Sequence, residues 1–188
     1  MTGTSRRCGS LVRHTCIGRV YLAEAGLLLT GADISRHLTG CGRVILLAAT
    51  LSAAADRLIR QAQVYGMADA LVVDALCVAA IEQACDAAEA EIFAAAHAPY
   101  RTWRFSPGYG DLPITLQSGI LHALNAQRRI GLTVTPSSLL IPSKSVTAII
   151  GISDSPTTQI GKQGCASCNM RGRCAFSKSG TSCGTPRL

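Results

Sequence analysis

Two stretches of this chain gather residues whose types and spacing could do chemistry. The first is RFSPGYGDLP, Arg104 to Pro113. Arg104 offers a planar fork of donors suited to a carboxylate or a phosphate. Pro107-Gly108 predicts a type II turn, because Pro presets φ and Gly accepts a positive one. Gly108 and Gly110 expose backbone amides that a ligand can approach closely, and Tyr109 adds a flat face with a polar tip. Together they could form the rim of a pocket for a small anionic ligand with a ring. From spacing alone, a tight connector between two helices with one surface arginine is the competing reading.

The second stretch is near the C-terminus. Cys165, Cys168, Cys174 and Cys183 place four thiols within nineteen positions. Four thiolates suit tetrahedral zinc or an iron–sulfur cluster. The Cys-x2-Cys start is a good chelate bite, but the later spacings match neither a common zinc finger nor a common ferredoxin run. Lys162, Arg171, Arg173 and Lys178 would offset the charge of a cluster. A tail with incidental thiols remains the alternative.

The chain must position these groups with 188 residues, 48% of them apolar but only 4% aromatic. Its core is therefore built mainly from Ala, Leu, Ile and Val. The net charge of +7 favours an acidic partner surface or an anionic ligand, without choosing among them. No apolar segment is expected to span a membrane, since Val44–Ala55 and Ala75–Ile81 are short of the roughly 20 residues required. The polar, basic opening MTGTSRRCGS does not read as a signal peptide. A cytoplasmic protein is expected, with no membrane or nucleic-acid partner and with thiols rather than disulfides.

Residues 1–17 read as a poorly specified leader. Gly18–Thr30 has strand character, and Asp33 is placed to cap a short helix through Leu38. Val44–Ala49 predicts a buried strand. Ser52 offers an N-cap to a helix over Ala53–Val64, and a longer helix fits Ala68–Ala96. Within the latter, Val73, Cys77, Ala80, Ala84, Ala87 and Ala88 predict a packing stripe, and Asp86, Glu89 and Glu91 a solvated face. Thr115–Arg129 predicts one further helix, with Ile120, Leu121 and Leu124 inward. Leu139–Ile141 and Ser145–Ile152 read as strands. His14, His37, His97 and His122 have no partner pattern and read as surface or packing residues. After Asp154 the composition turns to Gly, Ser, Thr and Cys, with basic residues and no acidic one, too poor in apolar residues to fold alone. The expected organisation is thus a domain over 18–154 and a Cys-rich basic tail over 155–188.

Arg104, Pro107, Gly108, Tyr109 and Pro113 form a pattern that resembles the S-adenosylmethionine-binding motif of the activation domain of cobalamin-dependent methionine synthase. IPSKSVTAIIGIS (141–153) resembles a later segment of that family. RVILLAATLSAAADRLIRQAQVYGMADALVVDA (43–75) resembles the front half of its stand-alone members. The resemblance implies an α+β fold with helices packed around a twisted antiparallel sheet. It implies binding of S-adenosylmethionine, with Arg104 on the ligand's carboxylate, backbone at Ser106 and Gly108 on the adenosine, and Tyr109 lining the pocket. It implies support, in trans, of the reductive methylation of cob(II)alamin carried by a methionine synthase that lacks its own activation domain, with an electron donor such as flavodoxin or ferredoxin. One departure stands out. Larger family members have ligand-touching aromatics after the Ser-Val segment, where this chain has Ala148–Ile150 and Gly151. Two other readings stay open: a metal-binding electron-transfer or interaction protein, and an activator of a different corrinoid methyltransferase.

Overall fold

The computed structural model describes residues 3–16, 18–96 and 100–156, the first of these as backbone. The elements are β1 (Gly3–Cys16), β2 (Arg19–Leu22), β3 (Leu27–Thr30), α1 (Ala32–His37), β4 (Arg43–Thr50), α2 (Ser52–Tyr65), α3 (Met67–Ala96), β5 (Tyr100–Arg101), α4 (Leu116–Leu124), α5 (Ala126–Ile130), β6 (Thr133–Val134), β7 (Leu140–Ile141) and β8 (Ser145–Ser153). Six strands form one sheet in the order β3-β2-β1-β4-β8-β5, and every neighbouring pair is antiparallel. β6 and β7 form a separate two-stranded ribbon. The fold is α+β, with helices on both faces of an antiparallel sheet, as the family resemblance implies.

β4 explains the layering. Its side chains alternate between faces, yet both faces are buried, so it reads as the unbroken apolar run VILLAA. Val44, Leu46 and Ala48 join Ile149 of β8 in a core closed by residues of α1, α4 and α5 together with Phe105 and Leu112. Ile45, Leu47 and Ala49, with Ala148, Ile150 and Ile152, pack against Ile81, Cys85, Ala88 and Ile92 of α3 on the other face. The facing stripe of α3 is therefore built on Ile81, Cys85, Ala88 and Ile92. Of the predicted stripe only Cys77 and Ala88 are buried. The large aliphatics, more than the alanines, fix the rotation of the helix, because they have more area to remove from water.

Four further expectations are corrected. Residues 3–16, read as a leader, form β1 in the middle of the sheet. β1 pairs with β2 through Arg13↔Tyr21 and with β4 through Arg7↔Leu46. The folded unit thus begins before residue 18. Ser52 is the first helical residue of α2 rather than its cap, although its Oγ still accepts from Ala54 N at 3.3 Å. Asp33 is also inside its helix. The cap of α1 comes from Asp111, whose carboxylate accepts from Ala32 N at 2.6 Å and Asp33 N at 3.1 Å. The single helix expected over Thr115–Arg129 is two, α4 and α5, separated by Asn125 in the left-handed region at φ 50°. Asn tolerates that conformation. The break lets both Leu124 and Ala126, two positions apart, enter the same core.

Candidate functional site

The segment after α3 runs along the free edge of β8 before it turns into the loop. Tyr100 and Arg101 pair with Ser153 and Ile152. Thr102 N donates to Gly151 O, and Gly151 N returns a bond to Thr102 Oγ1 at 2.8 Å. Phe105 and Ile149 exchange backbone bonds at 3.0 and 2.9 Å. Trp103 and Phe105 pack with the core on the α1 and α4 face. Arg104, between them, reaches instead to α3.

There the guanidinium meets three carboxylates. Its Nη1 donates to Asp86 at 2.8 Å and to Glu89 at 2.5 Å, and its Nη2 donates to Glu82 at 2.8 Å. Positions 82, 86 and 89 follow one another at helical i, i+4 and i+7 spacing, which puts them on one side of α3. Arg104 and Glu89 are the sheltered pair, with 20% and 14% of their side chains exposed, whereas Glu82 and Asp86 remain half or more exposed. Burial works against the charge of the guanidinium. The hydrogen bond to Asp86 and the charge of Glu89 outweigh it and raise its pKa further. The cage holds two carboxylates more than it has cations. Asp86 and Glu89, expected on a solvated face, are partners of the candidate site residue. Glu82 was missed, although the 82–86–89 spacing was there to be read.

The loop itself is a double turn. Tyr109 N donates to Ser106 O, which closes a turn over Pro107 and Gly108, with Gly108 at φ 92°. This is the type II turn the sequence predicts. Leu112 N then donates to Tyr109 O, and Gly108 N donates to Leu112 O at 2.9 Å. The amides of Gly108 and Tyr109 are thus spent inside the loop, contrary to the expectation that the Gly108 amide awaits a ligand. Pro107 and Leu112 are buried, Ser106 is half-buried, and Gly108 and Tyr109 face outward, Tyr109 with 54% exposure.

Both ends of the loop are anchored. Arg104 ties the start to α3, and Asp111 ties the end to the first amides of α1. Gly31 permits the second contact, because a Cβ there would lie 2.4 Å from Asp111 Oδ1. Beneath the loop lies an aromatic group: His37 and Trp103 with ring centres 4.7 Å apart, Trp103 and Phe105 at 5.2 Å, and Phe105 and Tyr109 at 6.2 Å. His37 is the packing histidine expected. It is buried, its Nε2 donates to Trp103 O at 3.0 Å, and burial holds its pKa down at about 4 despite that bond. Trp103 Nε1 is buried with no hydrogen-bond partner among the described residues. Neither Asp111 nor this stack was expected as part of the site.

The stretch Ala148–Gly151 after the Ser-Val segment has a structural explanation. Ala148 and Ile150 pack against α3, Ile149 packs on the opposite face, and a Cβ on Gly151 would lie 2.5 Å from Cys41 Sγ. These positions are core, and at Gly151 there is no room for a side chain. The thiols of Cys41, Cys77 and Cys85 are buried and unpaired, and burial raises Cys41 and Cys85 to about 11, far from a reactive thiolate. Among the described residues, no group of three or more His, Cys, Asp or Glu side chains could hold a metal ion, and no helix is long and apolar enough to cross a membrane. Cys165, Cys168, Cys174 and Cys183, like His14 and His97, lie outside the residues whose side chains are described. A groove of about 560 Å³ opens beside α4, α5 and β6, lined in part by Ser118, His122, Asn125 and Thr133; none of the loop residues lines it.

No family model and no curated protein matches the chain.

Proposed function

We propose that the protein binds S-adenosylmethionine over the Arg104–Pro113 loop and α3, and supports the reductive methylation of cob(II)alamin carried by a separate methionine synthase. The observation that carries this reading is the carboxylate-rich cage around Arg104. S-adenosylmethionine bears a carboxylate, an ammonium and a sulfonium. A single guanidinium among three carboxylates offers one group for the ligand's anion and a surplus for its two cations. Arg104 is already engaged by three carboxylates, so the ligand would share a preformed network. Glu82 and Asp86, the exposed members, are the groups with room to turn toward a cation. Tyr109 supplies an exposed ring face for the adenine.

The chemistry asked of the chain is positioning. One electron from a donor protein brings cobalt to the cob(I) state, and the sulfonium then gives up its methyl group to it, leaving S-adenosylhomocysteine. Reduction alone is uphill, and the methyl transfer makes it irreversible. No acid–base residue is required, and a loop anchored at both ends holds the ligand in one geometry. The cobalamin and the electron donor, a flavodoxin or ferredoxin, belong to partners. A cluster or zinc ion on Cys165, Cys168, Cys174 and Cys183 would be the chain's own metal. Recovery of turnover by a cob(II)alamin-inactivated synthase without its own activation domain tests the proposal. Recovery that needs this protein, S-adenosylmethionine and reductant together supports it, and equal recovery without the protein refutes it.

A second reading rests on the same cage. The donors of Arg104 find three partners without any ligand, which is what a purely structural anchor requires. In that case the chain is an interaction or electron-transfer protein whose loop serves the fold.

A further inference from the structure

The α2–α3 hairpin leaves a large apolar surface in water. Ala55 and Ala62 of α2 and Ala70 and Cys77 of α3 are buried. Around this thin seam, Leu58, Tyr65, Met67, Leu71, Val72 and Leu76 stand open, from 50% exposure at Leu58 to 85% at Tyr65. A helix that is apolar all round is normally buried, yet along the first half of α3 most side chains are exposed, with Ala70 and Cys77 buried and Asp74 paired with Lys144. Taking about 60–120 Å² for a fully buried aliphatic side chain and about 200 Å² for tyrosine, these six expose roughly 350–550 Å². That lies within the range of about 300–600 Å² for the largest patch on a monomer, a patch that is often functional. It is also about the apolar share of a standard interface of roughly 800 Å² per partner.

Charge narrows the choice of partner. α3 carries six carboxylates and no basic residue; Asp74 is paired with Lys144 and Glu82, Asp86 and Glu89 with Arg104, while Asp69 stands exposed on the same half of the helix as Val72 and Leu76. α2 exposes Arg57 and Arg60, while its one carboxylate, Asp56, is tied to Ser143. A two-fold axis beside the hairpin sets α2 of one copy against α3 of the other, twice over, so the basic helix meets the acidic one at both contacts. We propose that this hairpin is the interface of a homodimer, closing with its counterpart into an antiparallel four-helix bundle.

Sedimentation equilibrium on the full chain, with a thiol reductant to exclude cross-linking through cysteine, tests this. The wild-type chain should sediment at twice its monomer mass. Leu58→Glu combined with Leu76→Glu should give a folded monomer with an unchanged circular dichroism spectrum. Because that variant introduces buried charge if the inference is right, a milder pair accompanies it. Arg57→Glu with Arg60→Glu should weaken the dimer about tenfold or more, and adding Asp69→Lys should restore part of the loss. A wild-type chain that stays monomeric across the dilution series overturns the proposal, and so does a dimer whose dissociation is untouched by the charge exchange.

Discussion

Arg104 and Glu89 meet at 2.5 Å in the most sheltered part of the candidate site, across the boundary between the loop and α3. The pair joins the motif to the longest helix, so the arginine has a structural duty whatever else it does. Arg104→Ala leaves Glu89 sheltered and without its cation. A loss of about 2 kcal/mol is expected, below the figure for a fully buried pair because Glu82 and Asp86 are well solvated. Arg104→Lys should recover part of it, since an ammonium keeps the charge but not the geometry of the fork. Chemical denaturation of the three proteins measures this, and a stability for Arg104→Ala equal to wild type contradicts it.

Asp111 anchors the other end. Its carboxylate caps α1 from a position 79 residues away in sequence. Asp111→Ala should cost about 1 kcal/mol, the usual value of a lost helix cap. Asp111→Asn, which can still accept through its amide oxygen, should cost less. Thermal melts of both variants check the order, and equal losses would show that the cap is not the source of the effect.

These two contacts mark the limit of what the sequence makes legible. β4 and β8 are readable because burial on both faces forces unbroken apolar runs, and α3 is readable because thirty residues pass without Gly or Pro. The turn at Pro107-Gly108 is readable because it is local chemistry. β1 is not, because GTSRRCGSLVRHTC has strong polar content and is placed by backbone pairing with strands on both sides. The cap on α1 is hidden for the same reason: Asp33 is the local candidate, and only the fold brings Asp111 to the amides. The role of Arg104 depends on the rotation of α3, which is set by Ile81, Cys85 and Ile92 against the sheet. A composition reading sees Glu82, Asp86 and Glu89 only as charges on a surface.

His37 predicts how stability follows pH. Its folded-state pKa lies at about 4, below its ordinary value of 6.5. Between those values the unfolded chain takes up a proton that the folded chain refuses, so stability falls as pH drops from 6.5 toward 4. The total is of order 3 kcal/mol, and above pH 6.5 this group adds no slope. His37→Gln should flatten the dependence in that window, at some cost in packing against Trp103 and Phe105. Urea denaturation at a series of pH values reads it directly. A wild-type curve that parallels the His37→Gln curve from pH 7 to 4.5 would falsify the assignment.

Gly108 at φ 92° separates strain from crowding. A Cβ there would meet Ile114 at an ordinary 3.7 Å, so space is available. The penalty for Gly108→Val is therefore conformational, about 1–3 kcal/mol. Gly108→Asn should cost less, since Asn is enriched at positive φ. Equal destabilisation by the two, measured by thermal melting, would indicate crowding instead.

If the loop and the α3 carboxylates form a ligand site, calorimetric titration of the purified chain with S-adenosylmethionine will show it. Saturable binding of one ligand per chain is expected. Tyr109→Ala and Glu82→Gln, both at exposed positions, should each weaken it by about 1–2 kcal/mol while the melting temperature stays put. Absence of binding to the wild-type chain, or affinity unchanged in both variants, contradicts the site and leaves Arg104 as an anchor of the fold.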